Sequence, residues 1–151
     1  CVTQTTLSLD DTKFIIHAIK KKYSHVIEPK KSDICYATTN RQMAVKKIAS
    51  NCDLFIVIGA YNSSNSLRLV EVARQYGANK SILIENADEF DISLINDVQN
   101  IGVTASASAP EILVQNFIQL LKENFTVMVY EPEYIKEDIN FKIPQQLKVN
   151  G

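Results

Sequence analysis

Leu54-Phe55-Ile56-Val57-Ile58 is an unbroken apolar run that stops at Gly59. A strand buried on both faces of a parallel sheet reads this way, whereas a half-exposed strand alternates. Shorter runs, Ser81 to Ile84 and Ile101 to Thr104, predict two more strands, each separated from the last by room for a helix. Between them the apolar residues change to helical spacing. The polar stretch Asn62 to Ser66 leads into a helix carrying Leu67, Val70, Val72 and Ala73, and Gly77 supplies its C-terminal stop. Phe90 to Asn96 predicts a short helix. Ser108-Ala109-Pro110-Glu111 predicts a strong helix start, with Ser108 as the N-cap, Pro110 in the first turn and Glu111 at the third position. Ile112, Leu113, Phe117, Leu120 and Leu121 give that helix its buried face.

Ahead of the central run, Val2-Thr3-Gln4-Thr5 is β-prone and reads as the inside of a strand. Ser8 with Asp10-Asp11 predicts a capped helix through Leu9, Ile15, Ile16 and Ile19, and Lys20 to Lys22 suit its last turn. Ile34-Cys35-Tyr36 reads as a short extended piece, with Thr38 or Thr39 capping a helix through Met43, Val45 and Ile48. At the far end, Thr126 to Tyr130 and Asn140 to Ile143 alternate like strands. Alternating strands and helices define an α/β fold with a mostly parallel sheet in three layers, helices covering both faces. The division expected is 1–32 as the end of a preceding α/β unit, 33–125 as an α/β domain and 126–151 as a strand-like arm.

Composition narrows the function. Apolar residues are 46% and charged residues 22% of the 151, the profile of a folded globular chain. The longest apolar stretch, Leu54 to Tyr61, is far short of the ~20 residues of a membrane span, so no membrane partner is expected. Sixteen Lys and Arg balance seventeen Asp and Glu, with a pI near 6.1, which gives no reason to expect nucleic acid. No charged segment followed by an apolar one opens the chain, so no signal peptide is read at Cys1. Three Cys without C-x-x-C spacing are too few for a disulfide framework and point to a reducing compartment.

In an open parallel sheet, ligands bind beyond the carboxyl ends of the strands. Those ends carry Thr5, Asn62 to Ser66, and Ala105 to Ser108. The last two place hydroxyls, an amide and unpaired backbone N–H groups at helix starts, where anions are favoured. Together they suit a phosphate or diphosphate without a Lys; singly, each is equally an ordinary helix cap. Cys35 precedes a predicted helix, a position that favours a thiolate, and reads as a nucleophile or metal ligand, or as a small buried hydrophobe. Cys52, at the entry to the buried run, fits the buried role. His17 and His25 read as solvated, and Asp10-Asp11 as helix-start charge.

Four segments, in this order and spacing, resemble the LytB family of 4-hydroxy-3-methylbut-2-enyl diphosphate reductases. They are Gln4-Thr5-Thr6-Leu7-Ser8 with Asp10-Asp11-Thr12, the stretch Asp33 to Gln42 around Cys35, Asn62 to Ser66, and Gly102 to Pro110. The resemblance runs along the whole chain but covers only about the C-terminal half of the family's sequence. It implies one part of a multi-domain, trefoil-like iron–sulfur reductase of the non-mevalonate isoprenoid pathway. The family holds an oxygen-sensitive 4Fe–4S cluster by three Cys. It removes the hydroxyl of 4-hydroxy-3-methylbut-2-enyl diphosphate (HMBPP) as water, giving isopentenyl and dimethylallyl diphosphates. Ferredoxin or flavodoxin supplies the electrons.

Carried over by motif, Cys35 resembles the third cluster ligand. Ser63, Ser64, Asn65 and Ser108 resemble the diphosphate clamp, and Thr5 resembles the Thr beside the substrate's reacting end. The other two cluster Cys, the active-site His residues and the proton-relay Glu belong to the family's N-terminal half, which becomes the expected partner. Cys1, Cys52, His17 and His25 match none of the family's functional positions, and Ser106 stands where a Gly is common. The chain alone is therefore expected to be inactive. The alternative is a non-catalytic α/β domain that keeps an anion pocket. The resemblance implies a bacterial cytoplasm or a plastid-type organelle.

Overall fold

The computed structural model describes residues 1–28 and 33–131. Four helices, α1 (Leu9–Lys22), α2 (Tyr36–Ile48), α3 (Ser64–Gln75) and α4 (Glu111–Asn124), accompany three strands, β1 (Leu54–Ile58), β2 (Lys80–Ile84) and β3 (Ile101–Ala105). The strands form one parallel sheet in the order β2-β1-β3. The apolar run is the central strand, and all five of its residues are 0% exposed. Its alternation divides the core in two. Phe55 and Val57 meet Val45 of α2 and Leu69, Val72 and Ala73 of α3. Leu54, Ile56 and Ile58 meet Phe117 and Leu121 of α4, together with Phe90 and Ile95. Burying each large side chain of β1 contributes roughly 1.5–3 kcal/mol, so the central strand anchors both layers. Phe90 and Phe117 close the second layer edge to face, with centroids 5.0 Å apart.

Local signals place most of the helix ends. Ser8 caps α1 by accepting from the N–H of Asp11, and Gly77 ends α3 in the left-handed region at φ 103°. Asp53 sets the entry to β3, its carboxylate accepting from the N–H groups of Gln99 and Asn100.

Several expectations are corrected. Residues 2–5 form no strand: Thr3 N–H donates to the Asp33 carboxylate and Thr5 C=O accepts from Cys35, so their backbone bonds go to the approach of α2 rather than to a strand. No extended piece runs over residues 34–36, and neither Thr38 nor Thr39 caps α2. Thr39 N–H already bonds the carbonyl of Cys35, which makes Cys35 the N-cap. Phe90 to Asn96 is not one helix. Two 3-10 turns, Ala87–Glu89 and Ile92–Ile95, are separately capped by Asn86 and Asp91, and Phe90 drops into the core between them.

Ser108 does not cap α4. A turn from Ala109 N–H to Ser106 C=O keeps the chain non-helical until Pro110, which takes the cap position. Ile112 was expected on a buried face and is 60% exposed; on α3, Leu67 is 48% exposed and Leu69 fills the core position. Ile112 lies five residues before Phe117 and so on the other side of the helix. Thr126 to Tyr130 forms no strand, and Asn140 to Ile143 lies outside the described residues.

Candidate functional site: two polar loops at one sheet edge

The parallel register sets Ile58 opposite Ala105, so the loops after β1 and β3 leave the same sheet edge side by side. Ser106 N–H donates to Ile58 C=O at 2.8 Å and holds them together. From there the chain diverges, into α3 on one face and toward α4 on the other. Such a switch point opens a crevice between neighbouring strands. Gly59 lies at its base. A Cβ there would collide with the hydroxyls of Ser66 and Ser106, so the close approach of the two loops requires glycine.

The loop after β1 is a capped helix start. Ser63 Oγ accepts from Ser66 N–H at 3.3 Å, while Ser64 is exposed. Asn65 is only 6% exposed, and neither end of its side-chain amide has a hydrogen-bond partner among the described residues. Buried amides are almost always paired, and leaving one unpaired costs about 1–3 kcal/mol, so both ends of this amide are open to a water or a ligand. The loop after β3 differs. Ser108 is exposed and does not cap α4, and Ser106, 1% exposed, carries a hydroxyl without a partner among the described residues.

A third segment joins them. Cys35 is exposed at the N-cap of α2, and its sulfur makes no cap bond. Its N–H donates to Thr5 C=O at 3.1 Å, and one residue on, the hydroxyls of Thr6 and Ser64 lie 2.9 Å apart. Thr5 therefore belongs to a strap running from the start of α2 to the start of α3. Arg41 links the same helix to the other loop, its Nε donating to Ala105 C=O at 3.0 Å. The structure thus gathers Thr5, Cys35, Ser63, Ser64 and Asn65 around one strap, and Arg41 ties the base of the Ser108 loop to that cluster. The cation was not assigned from sequence, because Arg41 lies on a helix remote from both loops in the chain. Its position six residues beyond Cys35, inside a motif already singled out, was the available signal.

The remaining candidates stay apart. Cys52 is buried in the α2–α3 layer; its thiol donates to Ile48 C=O, and burial pushes its pKa up. His17 and His25 are exposed. A cavity of about 530 Å3 beside α1 is lined by Lys13, Ile16, His17, Lys20, Lys21 and Glu28, none of them part of these loops. Among the described residues, no three His, Cys, Asp or Glu side chains converge in a way that could hold a metal ion. None of the described helices is long and apolar enough to cross a membrane.

Architecture and loops together define a parallel α/β unit with paired polar loops at its switch point. The chain belongs to the LytB protein family, whose model matches residues 1–122. It is 49% identical to the 4-hydroxy-3-methylbut-2-enyl diphosphate reductase of Actinobacillus succinogenes over 99% of this chain and 47% of that protein. Its identity to the enzyme of the same name from Wigglesworthia glossinidia brevipalpis is 52%, over 96% and 46% of the two chains. The solved structure of the E-1-hydroxy-2-methyl-but-2-enyl-4-diphosphate reductase from Plasmodium falciparum superposes with a TM-score of 0.84 at 36% identity, covering 96% of this chain and 46% of that one. The chain spans a little under half the length of these relatives.

Proposed function

We propose that this chain is the C-terminal portion of a 4-hydroxy-3-methylbut-2-enyl diphosphate reductase. Its share of the work is to hold the substrate's diphosphate and one corner of an iron–sulfur cluster. The observation that carries the reading is Asn65, a buried amide at the start of α3 with no hydrogen-bond partner among the described residues. An ionised diphosphate offers only acceptors. The Asn65 amide N–H2, the hydroxyls of Ser63, Ser64 and Ser108, and the free N–H groups opening α3 are the donors assigned to it. Arg41 is the one cation bonded to these loops among the described residues.

Cys35, an exposed thiol at a helix start, suits thiolate ligation of iron. A 4Fe–4S cluster held by three Cys needs two more thiols than Cys35, and Cys52 is buried in the core, so the residues at this site fit one corner. The other ligands then belong to the N-terminal half. Bound, such a cluster supplies electrons and a Lewis-acidic iron for the hydroxyl that leaves as water. The electrons come from a ferredoxin- or flavodoxin-type donor. Thr5, whose carbonyl takes the Cys35 N–H, is assigned to the reacting end of the substrate.

The test is anaerobic turnover of HMBPP by the complete reductase carrying this chain. Cys35→Ser abolishes turnover, because a hydroxyl is a poor ligand for iron beside a soft thiolate. Cys52→Ala, in the core, keeps most of it. Equal loss in two variants that remain folded overturns the assignment of Cys35. Absence of turnover by the complete native protein, with diphosphate binding kept, favours instead a non-catalytic anion-binding domain.

A further inference from the structure

Gln42 lies two helical turns beyond Cys35 on α2, and it is 0% exposed. A fully buried amide in mid-helix is costly unless both ends are paired, and here both are. Nε2 donates to Leu7 C=O at 2.9 Å, and Oε1 accepts from Leu9 N–H at 3.1 Å. Leu9 N–H is one of the first-turn donors of α1 that have no partner inside their own helix. Ser8 already satisfies Asp11, so Gln42 reaches across from another helix to satisfy Leu9.

At the other end of the same strap, Thr5 C=O is fixed by Cys35 N–H. One helix therefore grips the strap twice, once at the residue carrying the thiol and once through Gln42. We propose that Gln42 is a positioning residue: by clamping Leu7 and Leu9 it fixes where Thr5 stands relative to the Cys35 thiol. It touches neither thiol nor substrate and acts through the backbone between them. Misplacement of a reacting group by about an ångström can cost ~100-fold in rate, so a clamp of this kind is felt in kcat before it is felt in diphosphate affinity.

The inference rests on the reading of Thr5 and Cys35 above, and its test separates the two. Gln42→Met keeps the volume and removes both bonds. Gln42→Glu keeps the acceptor for Leu9 N–H. When its carboxyl is neutral it also donates to Leu7 C=O, and when ionised it repels that carbonyl. Both variants of the complete reductase are assayed for kcat against pH, for inorganic diphosphate affinity by calorimetry, and for the visible cluster spectrum. Gln42→Met should lower kcat by about tenfold to a hundredfold, with diphosphate affinity within about threefold of native and the spectrum unaltered. Gln42→Glu should recover most of that loss at the acid end of the pH range and lose it again as pH rises.

A native kcat in Gln42→Met overturns the proposal. So does a Gln42→Glu no better than Met at any pH, or a fall of kcat and diphosphate affinity in step. If Gln42→Met does not fold, Gln42→Glu decides alone: a kcat that falls with rising pH at retained affinity supports the clamp, and native kcat throughout refutes it. Native protein that binds no diphosphate would instead fail the functional reading.

Discussion

The loops leaving β1 and β3 share a composition of Ser, Asn and Ala, stand side by side, and are built on different principles. The first is a helix start in full: Ser63 caps, Ser64 bonds the hydroxyl of Thr6, and Asn65 is buried without a hydrogen-bond partner among the described residues. The second is a tight turn in which Ser106 is buried, Ser108 is exposed, and Pro110 opens the helix with no side-chain bond at all. In the first loop, the cap and the proposed ligand donors fall on neighbouring residues. In the second they are separated, because Ser108 serves nothing among the described residues. A residue with no structural duty can be tested for binding without disturbing the fold.

The largest effect should come where the loops meet. Gly59→Ala forces a methyl group against the hydroxyls of Ser66 and Ser106 and the Cβ of Ser106, so the side chains of both loops must shift. Overpacking of this kind costs about 1–3 kcal/mol, to be read from urea denaturation, and should weaken diphosphate binding as well. An unchanged midpoint would mean that the loops are not held together at Gly59.

The next effect divides the loops. Ser63→Ala loses a cap and should cost about 1 kcal/mol of stability, whereas Ser108→Ala should stay within ~0.5 kcal/mol. Both should weaken inorganic diphosphate by about tenfold, since hydrogen bonds to a charged acceptor contribute roughly 1.5–3 kcal/mol and each 1.4 is a factor of ten. Equal melting losses in the two variants would erase the distinction drawn between the loops.

The smallest effect provides a control outside both. The Lys46 ammonium bonded to Asp10 holds that carboxyl below its ordinary value, with the Tyr76 hydroxyl adding to it. A carboxyl depressed in the folded state contributes stability above its unfolded pKa and loses it as pH falls through the folded one. Asp10 is half-exposed, so the contribution is modest. Native protein and Asp10→Asn should therefore differ slightly in urea midpoint near neutrality and converge on acidification, with diphosphate affinity equal throughout. A gap that persists in acid would contradict the ion pair as the source.

Much of this was legible in the sequence, for reasons that differ from residue to residue. Leu54 to Ile58 could be read as a central strand because a short, Ile- and Val-rich apolar run that stops at Gly59 fits a strand buried on both faces better than a helix. Ser8 and Gly77 were legible because caps act through bonds within a few residues. The start of α2 was not: Thr38 and Thr39 are better intrinsic caps than Cys35, yet Thr39 N–H bonds Cys35 C=O while Cys35 N–H donates to the carbonyl of Thr5, thirty residues away. The role of Ser108 was misread because Pro110 can stand at a cap as well as in a first turn, and a turn at Ser106–Ala109 decided between them. Arg41 and Gln42 have no local signature, since their partners, Ala105, Leu7 and Leu9, are brought to them by the fold. The polar loops read as anion sites, but the sequence could not show that Asn65 is buried with both ends of its amide unpaired among the described residues.

The central claim is that Asn65 is kept unpaired for a diphosphate, and calorimetric titration of inorganic diphosphate into Asn65→Leu of the complete reductase tests it most directly. Leucine matches the shape of the amide and removes its polarity, which relieves a buried unsatisfied group, so the variant should melt no lower than native. Its diphosphate affinity should fall by about tenfold to a hundredfold, the loss of one or more charge-assisted hydrogen bonds. Affinity equal to native, in a variant that melts as native does, would contradict the account and leave the loop after β1 a helix cap and nothing more.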